Sequence, residues 1–232
     1  MSRRILCLGF LFGAILSSPG WADELPFQCG PLSNAYGPYD YRTDLSKLNI
    51  VEIAHFTSDV ENLRKGVQSV RPGPDLNYTL RAFPNHHRAL MSIVRLGARD
   101  KSDKPATGYT VECFLMRAEA FRPDDPMVKL IYGIHLLNQG KSKLALVKLD
   151  DARELPLESP NFFYNLGLAY FSAGHYDRAL TSAHKAYALG FPLPGLRDKL
   201  KRAGKWKDPE PVLSDEGESK EVEPPKAEKP SL

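Results

Sequence analysis

The chain repeats part of its own sequence at an interval of 34 residues, and this period constrains the fold more than any other feature. A shift of 34 residues superimposes prolines, glycines, alanines and a leucine without a gap. A fixed period of this length is typical of helical repeats, in which each unit buries its apolar face against its neighbours. The superimposed pairs are Pro126 and Pro160, Gly133 and Gly167, Gly140 and Gly174, Ala145 and Ala179, Leu146 and Leu180, and Ala152 and Ala186.

Small residues recur inside segments that have a helical apolar pattern. Phe163, Leu166, Gly167 and Tyr170 fall on one face of a helix. A glycine costs a helix about 1 kcal/mol, so we expect it where two helices cross closely. Gly174 suits the turn to a second helix, because a left-handed backbone is easily adopted without a Cβ. The pattern therefore predicts pairs of antiparallel helices.

A weaker copy precedes the two clear ones. Pro84 begins its first helix, residues 111–126 supply its second, and the turn between them is enlarged by residues 97–109. Residues 195–206 read as a closing helix with a charged outer face. Three copies reach the minimum that such stacks need for stability. The chain is therefore predicted to be all-α.

The stretch "NLGLAYFSAGHYDRAL", residues 165–180, resembles the tetratricopeptide repeat (TPR) family. It has a Leu-Gly pair, an aromatic residue three positions later, a turn glycine and an Ala-Leu step. The resemblance implies an α-solenoid of about three TPR helix hairpins, with a concave groove that binds extended peptides or partner segments. The alternative is an ordinary helical bundle in which the match arose by chance.

The two ends of the chain have different compositions. Residues 1–22 read as a secretory signal peptide, with an uncleaved membrane anchor as the alternative. Residues 23–77 are predicted to form an irregular N-terminal arm, with one short helix after Ser58 and a loop over 67–77. Residues 78–206 are predicted to form the TPR domain. Residues 207–232 are predicted to be a disordered C-terminal tail, because they lack large apolar side chains.

Charge and cysteine content indicate the compartment and the class of partner. The chain has 31 basic and 28 acidic residues, and two of the basic residues lie in the signal peptide. A nearly neutral mature chain gives no indication of nucleic-acid binding. Cys29 and Cys113 remain after cleavage, and an oxidising compartment favours a disulfide between them. Two separate buried thiols are the alternative.

The resemblance places a candidate partner-binding groove on the first helix of each copy. The groove changes from polar and basic to apolar and aromatic, which would suit an acidic end joined to an apolar stretch. The alternative is that the N-terminal arm or an additional helix fills it. The expected lining is Asn85, Arg88, Ser92 and Arg95, then Met127, Leu130, Ile131, Ile134 and Asn138, then Asn161, Tyr164, Asn165, Leu168 and Ser172.

The histidines and short motifs of the chain give no pattern typical of catalysis or metal binding. His86 and His87 are adjacent, so on a helix they would point about 100° apart and could not share one site as i, i+4 histidines do. The chain contains no Gly-x-Ser-x-Gly, phosphate loop or His-Glu-x-x-His. We therefore expect no enzyme activity, no metal site and no cofactor, and we expect the histidines to cap and pack the first helix.

These observations lead to one function and one alternative. The first is an exported scaffold or adaptor that binds another protein or peptide of the cell envelope through the groove. Similarity to exported repeat proteins of Gram-negative envelopes favours the periplasm, with no stable membrane span after signal cleavage. The alternative is a periplasmic chaperone that binds a small ligand or cofactor between the arm and the groove.

Overall fold

The computed structural model describes residues 25–106 and 108–209. Within them the regular structure is helical, with ten α-helices and one short 3-10 helix, Phe27–Cys29. The signal peptide predicted for residues 1–22 and nearly all of the predicted tail lie outside this part of the chain. The helices are α1 Leu45–His55, α2 Ser58–Glu61, α3 Gly73–Ala82, α4 His87–Asp100, α5 Val111–Phe121, α6 Pro126–Asn138, α7 Ser142–Glu154, α8 Pro160–Ser172, α9 Tyr176–Ala188 and α10 Gly195–Arg202.

The 34-residue period is visible in the helix bounds. The helices α6 and α8 begin at Pro126 and Pro160 and have the same length, as do α7 and α9. Each proline occupies the start of its helix, where its missing N–H costs no hydrogen bond. Asp125 and Ser159 cap the two helices by accepting hydrogen bonds from main-chain N–H groups. Local sequence signals therefore define these helices.

The glycines lie at close helix contacts, as the sequence predicted. A Cβ on Gly133 would come 2.6 Å from Leu149 Cδ2 of α7, and one on Gly167 would come 2.5 Å from Leu196 Cδ2 of α10. Gly174 has φ +79° in the turn from α8 to α9, a conformation that favours glycine. The helix pairs α6–α7 and α8–α9 thus pack closely because they lack side chains where they meet.

The segment before α4 contains more helix than the sequence predicted. The apolar residues of α1 occur on all sides of the helix, so they give no amphipathic period. The helix α3 begins at Gly73-Pro74, inside the predicted loop 67–77, because proline is tolerated in a first turn. The predicted helix after Ser58 exists as α2, although Thr57 is its N-cap residue and makes no side-chain cap bond.

The predicted disulfide between Cys29 and Cys113 is present and joins the arm to α5. It closes a segment with a sequence separation of 84 residues. A bond that closes a loop of this length is expected to contribute about 2–5 kcal/mol to the free energy of unfolding.

A buried arginine holds the same part of the arm. Arg117, only 1% exposed, donates hydrogen bonds from Nη1 to the carbonyl oxygens of Cys29, Gly30 and Pro31. Its guanidinium lies 4.6 Å from the ring centroid of Tyr109. Burial lowers the pKa of Arg117, so the carbonyl oxygens and the aromatic ring must compensate for lost hydration. No sequence pattern predicted a role for Arg117.

Two main apolar clusters form the interior. One extends from Phe56 and Val60 through α3, α4 and α5 to α6. The other joins α6 to α7, α8, α9 and α10. A third, smaller cluster packs tyrosines of the arm, including Tyr39, against Phe83. The helix α6 contributes to both main clusters, so it connects the two halves of the interior.

Candidate functional site

One side of α6 and α8 stays exposed or half-buried and contains seven of the fourteen predicted groove residues. In each helix the other sides pack into the two interior clusters, which leaves this side free of packing partners from α7 and α9. The half-buried side chains of Met127, Ile134, Tyr164 and Leu168 all pack at the edge of one cluster, so the surface is continuous. We call it the α6–α8 face: Met127, Ile134, Asn138, Asn161, Tyr164, Asn165 and Leu168.

The α6–α8 face contains no charged side chain. The helix α8 has no acidic or basic residue along its whole length. The helix α6 has one lysine, Lys129, whose Nζ lies 2.9 Å from Glu119 Oε1 of α5 and therefore points away from the face. Burial raises the pKa of Glu119, but hydrogen bonds from Lys148 and Lys129 outweigh this and lower it. The charges beside the face are thus neutralised within the molecule.

Three asparagines place amide groups on the α6–α8 face. Asn165 Nδ2 donates to the carbonyl oxygen of Asn161 at 2.8 Å and to Asn161 Oδ1 at 2.9 Å. Among the described residues, Asn165 Oδ1 and the amide of Asn138 have no hydrogen-bond partner. An amide side chain can both donate and accept, so it can pair with the main chain of another segment.

An aromatic pair borders the α6–α8 face on the side of α10. The rings of Tyr164 and Phe191 are stacked with their centroids 4.0 Å apart. Phe191 lies in the connection between α9 and α10. The stack fixes the orientation of Tyr164, because an offset aromatic contact of this kind is favourable beyond its buried area.

The equivalent side of α4 is hydrogen-bonded to another segment of the chain, although its arginines stay exposed. Arg88 Nε donates to Glu61 Oε1 at 2.8 Å, and Arg95 Nη2 donates to the main-chain oxygen of Glu61 at 2.6 Å. Arg99 Nη1 donates to the main-chain oxygen of Leu63 at 2.7 Å. Residues 58–63, named here the covering segment, thus lie across α4. The sequence left open that an additional helix fills the predicted groove. The helix α2 lies across the α4 part of that groove.

Four predicted groove residues are inside the molecule: Asn85, Ser92, Leu130 and Ile131. Asn85 is fully buried and donates from Nδ2 to Asp40 Oδ1 at 2.7 Å and to Asp125 Oδ2 at 3.0 Å. Its Oδ1 accepts from the main-chain N–H of Tyr41. Ser92 is also fully buried, and Leu130 and Ile131 are only 1% exposed and pack in the interior. None of these four side chains can contact a partner in this conformation.

The cluster around Asn85 contains a strongly acidic carboxyl group. Burial raises the pKa of Asp40, but hydrogen bonds from Arg42 and Asn85 outweigh it and lower the pKa to about 2. Asp40 therefore stays ionised at neutral pH and keeps the arm attached to α4 and α6. No local sequence pattern predicts this role, since Asp40 and Asn85 are 45 residues apart.

The adjacent histidines have separate partners. His86 caps α4 by accepting from the main-chain N–H of Ala89 and contacts Glu52 through Nε2 at 3.1 Å. His87 Nε2 lies 2.8 Å from Asp125 Oδ2. This agrees with the prediction that these residues cap and pack the first helix. Within residues 25–106 and 108–209, no group of three or more His, Cys, Asp and Glu side chains could hold a metal ion.

None of the helices in the described part of the chain is both long enough and apolar enough to cross a membrane. No protein-family model, no curated protein and no solved structure matches the chain. The function is therefore argued from the α6–α8 face and its surroundings.

Proposed function

We propose that this protein is an interaction scaffold that binds an extended segment of another protein on the α6–α8 face. The observation that carries the proposal is the contrast between α4 and its two successors. Arg88 and Arg95 on one side of α4 donate hydrogen bonds to the chain's own covering segment, whereas the side chains of the α6–α8 face make no hydrogen bond to another segment among the described residues. The covering segment on α4 is thus an example, within this molecule, of a short segment bound across a helix.

The chemistry of the α6–α8 face suits an uncharged partner segment. Asn138, Asn161 and Asn165 offer amide groups for main-chain hydrogen bonds, and Ile134, Leu168 and Tyr164 offer apolar area. Neighbouring helices pack about 8–10 Å apart, and an extended chain rises about 3.3 Å per residue. A segment of about four to six residues would therefore reach across both helices. An acidic side chain would lose hydration here without meeting a counter-charge.

We also propose a TPR-type stack of about three hairpins as the architecture that presents this face. The equal lengths and the 34-residue offset of α6–α7 and α8–α9 support the proposal, as do the glycines between their helices. The pair α4–α5 would be the third hairpin, with α10 closing the stack.

The disulfide supports export to an oxidising compartment, and we propose the periplasm and a partner from the cell envelope. Alkylation of free thiols in intact cells tests the first part. Cys29 and Cys113 should be protected from the reagent until a reductant is added. Labelling of both residues without a reductant would contradict export.

Site-specific photo-crosslinking in the native cell tests the binding function. A photoreactive residue at position 134 or 168 should capture the same protein, because both positions lie on the α6–α8 face. Positions 144 and 147 on α7 serve as matched controls, since Leu144 is 58% exposed and Val147 is 55% exposed. Capture of the same protein from the control positions would contradict the proposal.

Binding measurements with the captured protein then test the chemistry. The double variant Ile134→Glu, Leu168→Glu should bind at least tenfold more weakly, or about 1.4 kcal/mol, because it puts charge into an apolar contact. Leu144→Glu, Val147→Glu should bind as the wild type does. If addition of metabolites or metal ions raises the melting temperature while no protein is captured, the small-ligand alternative replaces the proposal.

A further inference from the structure

The C-terminal end of the described chain carries a dense set of exposed cations. Among the described residues, none of these cations forms a salt bridge, whereas most of the other lysines and arginines do. Two acidic residues, Asp198 and Asp208, lie among them. We call this set the basic end: Arg197, Lys199, Lys201, Arg202, Lys205 and Lys207.

The acidic residues of this region do not neutralise the basic end. Asp208 Oδ1 accepts from Trp206 Nε1 at 2.9 Å, and no lysine or arginine pairs with Asp198 among the described residues. Aromatic rings lie near three of the cations: Lys199 Nζ is 5.8 Å from the centroid of Phe171, Lys205 Nζ is 5.5 Å from that of Tyr176, and the Arg197 guanidinium is 5.9 Å from that of Tyr187. The surface therefore presents a net positive charge to solvent.

The last described residues hold the chain beside this surface. Trp206 packs edge-on against His184 of α9, and His184 Nε2 lies 2.8 Å from the main-chain oxygen of Lys207. The chain beyond Pro209 therefore starts next to the basic end. Both contacts are made by α9, so α10 keeps its outer side free.

The sequence that follows has the opposite charge. Residues 210–223 contain six carboxylates and one lysine, whereas residues 224–232 contain one carboxylate and two lysines. An extended chain of fourteen residues reaches about 45 Å, and the eight residues of α10 span about 12 Å. Every cation of the basic end is thus within reach. The carboxylates are Glu210, Asp215, Glu216, Glu218, Glu221 and Glu223.

We propose that residues 210–223 bind to the basic end of the same molecule. The segment is covalently attached beside its site, so its effective concentration is in the millimolar range and individually weak ion pairs suffice. Bound there, it neutralises the exposed side of α10 and keeps external polyanions away from it. The proposal stands independently of binding at the α6–α8 face.

Zero-length carbodiimide crosslinking of the full-length oxidised protein, followed by mass spectrometry, tests the contact. Amide bonds should form between carboxylates of residues 215–223 and Lys199 or Lys201. The exposed lysines Lys101, Lys104 and Lys143 are controls, since none of them pairs with an acid among the described residues. Crosslinks to the control lysines at similar yield would overturn the proposal.

A charge variant separates binding from mere proximity in sequence. Arg197→Glu, Arg202→Glu keeps Lys199 and Lys201 as reactive groups but reverses the charge around them, so their crosslink yield should fall by about tenfold. The matched variant Arg64→Glu, Arg71→Glu, at exposed arginines elsewhere, should leave the yield unchanged. Sodium chloride at about 1 M should have the same effect as the first variant, because it screens the attraction. Yields insensitive to both treatments would overturn the proposal.

Heparin, as a soluble polyanion, tests what the segment excludes. Replacing the six carboxylates with their amides should strengthen heparin binding by about tenfold at low salt, because the basic end is then uncovered. Equal binding by the wild type and this variant would show that the surface is open and would overturn the proposal. Tight binding of the wild type to vesicles with anionic phospholipids would also overturn it, in favour of a membrane surface.

Discussion

The buried side chain of His86 shows how one residue can make the fold sensitive to pH. Its Nδ1 accepts the main-chain N–H of Ala89, so this nitrogen must be unprotonated in the folded state. Burial lowers the pKa of His86 below its ordinary 6.5, and the contact with Glu52 only partly opposes this. Protonation would both charge a buried group and break the cap of α4.

We expect the free energy of unfolding to fall as the pH falls below about 6.5. The unfolded chain binds a proton there and folded His86 does not, so stability decreases by up to about 1.4 kcal/mol per pH unit from this residue. Denaturant unfolding at pH 7.5 and 5.5 measures the difference.

The variant His86→Asn should reduce this difference, because asparagine also caps a helix but does not titrate. His175→Asn, at the start of α9, is the control. It should keep the difference in the free energy of unfolding between the two pH values, because His86 is still present. The pKa of His135 is also lowered by burial, and this residue contributes equally in all three proteins. An unchanged pH dependence in His86→Asn would contradict the assignment.

At the scale of helices, the glycines of the repeat decide how closely neighbours pack. Gly167 lies against Leu196 of α10 and against Ala179 and Ser182 of α9, so three elements meet at one position without a side chain. A well-packed interior has no room for added methyl groups without strain. The helix propensity lost at this glycine is therefore offset by tertiary contacts.

Gly167→Val should lower the free energy of unfolding by about 1–3 kcal/mol. The new Cβ would sit 2.5 Å from Leu196 Cδ2 and 3.3 Å from the main-chain oxygen of Ala179, so α10 would have to move. Ala188→Val, at an exposed position in α9, controls for helix propensity and should cost less than about 0.7 kcal/mol. Equal losses in the two variants, measured by denaturant unfolding, would mean that Gly167 has no special packing role.

At the scale of the whole molecule, the segment before α4 is part of the same interior as the repeats. Phe56, Val60, Leu76 and Leu80 belong to the cluster that continues through α4 and α5 to α6. The helix α3 runs through position 78, where the sequence analysis placed the start of the TPR domain. The N-terminal helices α2 and α3 thus pack against α4 and share its interior.

We expect residues 25–209 to unfold in one cooperative transition and residues 84–209 not to do so. The shorter chain loses Phe56 and the apolar side chains of α2 and α3 and leaves their partners on α4 and α5 in water. Thermal unfolding followed by circular dichroism compares the two. The shorter chain should also bind a dye specific for exposed apolar surface. An unchanged melting temperature for 84–209 would contradict a shared interior.

The sequence by itself predicted the features that depend on local pattern. The period of 34 residues, the glycines at helix crossings, the turn at Gly174 and the closing helix α10 all follow from spacing along the chain. The disulfide followed from counting, because Cys29 and Cys113 are the cysteines left after the predicted signal peptide. Such signals lie in the spacing and the number of residues along the chain, so they can be read without knowledge of tertiary contacts.

Only the tertiary structure decided which parts of the predicted groove are accessible. Arg88 is paired because Glu61 reaches it from 27 residues away, and Asn85 is buried because Asp40 reaches it from 45 residues away. Asn85 occupies the same position in its copy as Met127 and Asn161 occupy in theirs, and neither of those two residues is buried. What separates them is the path of a distant segment, and that path depends on the packing of Phe56 and Val60 in the shared interior, which no local period encodes.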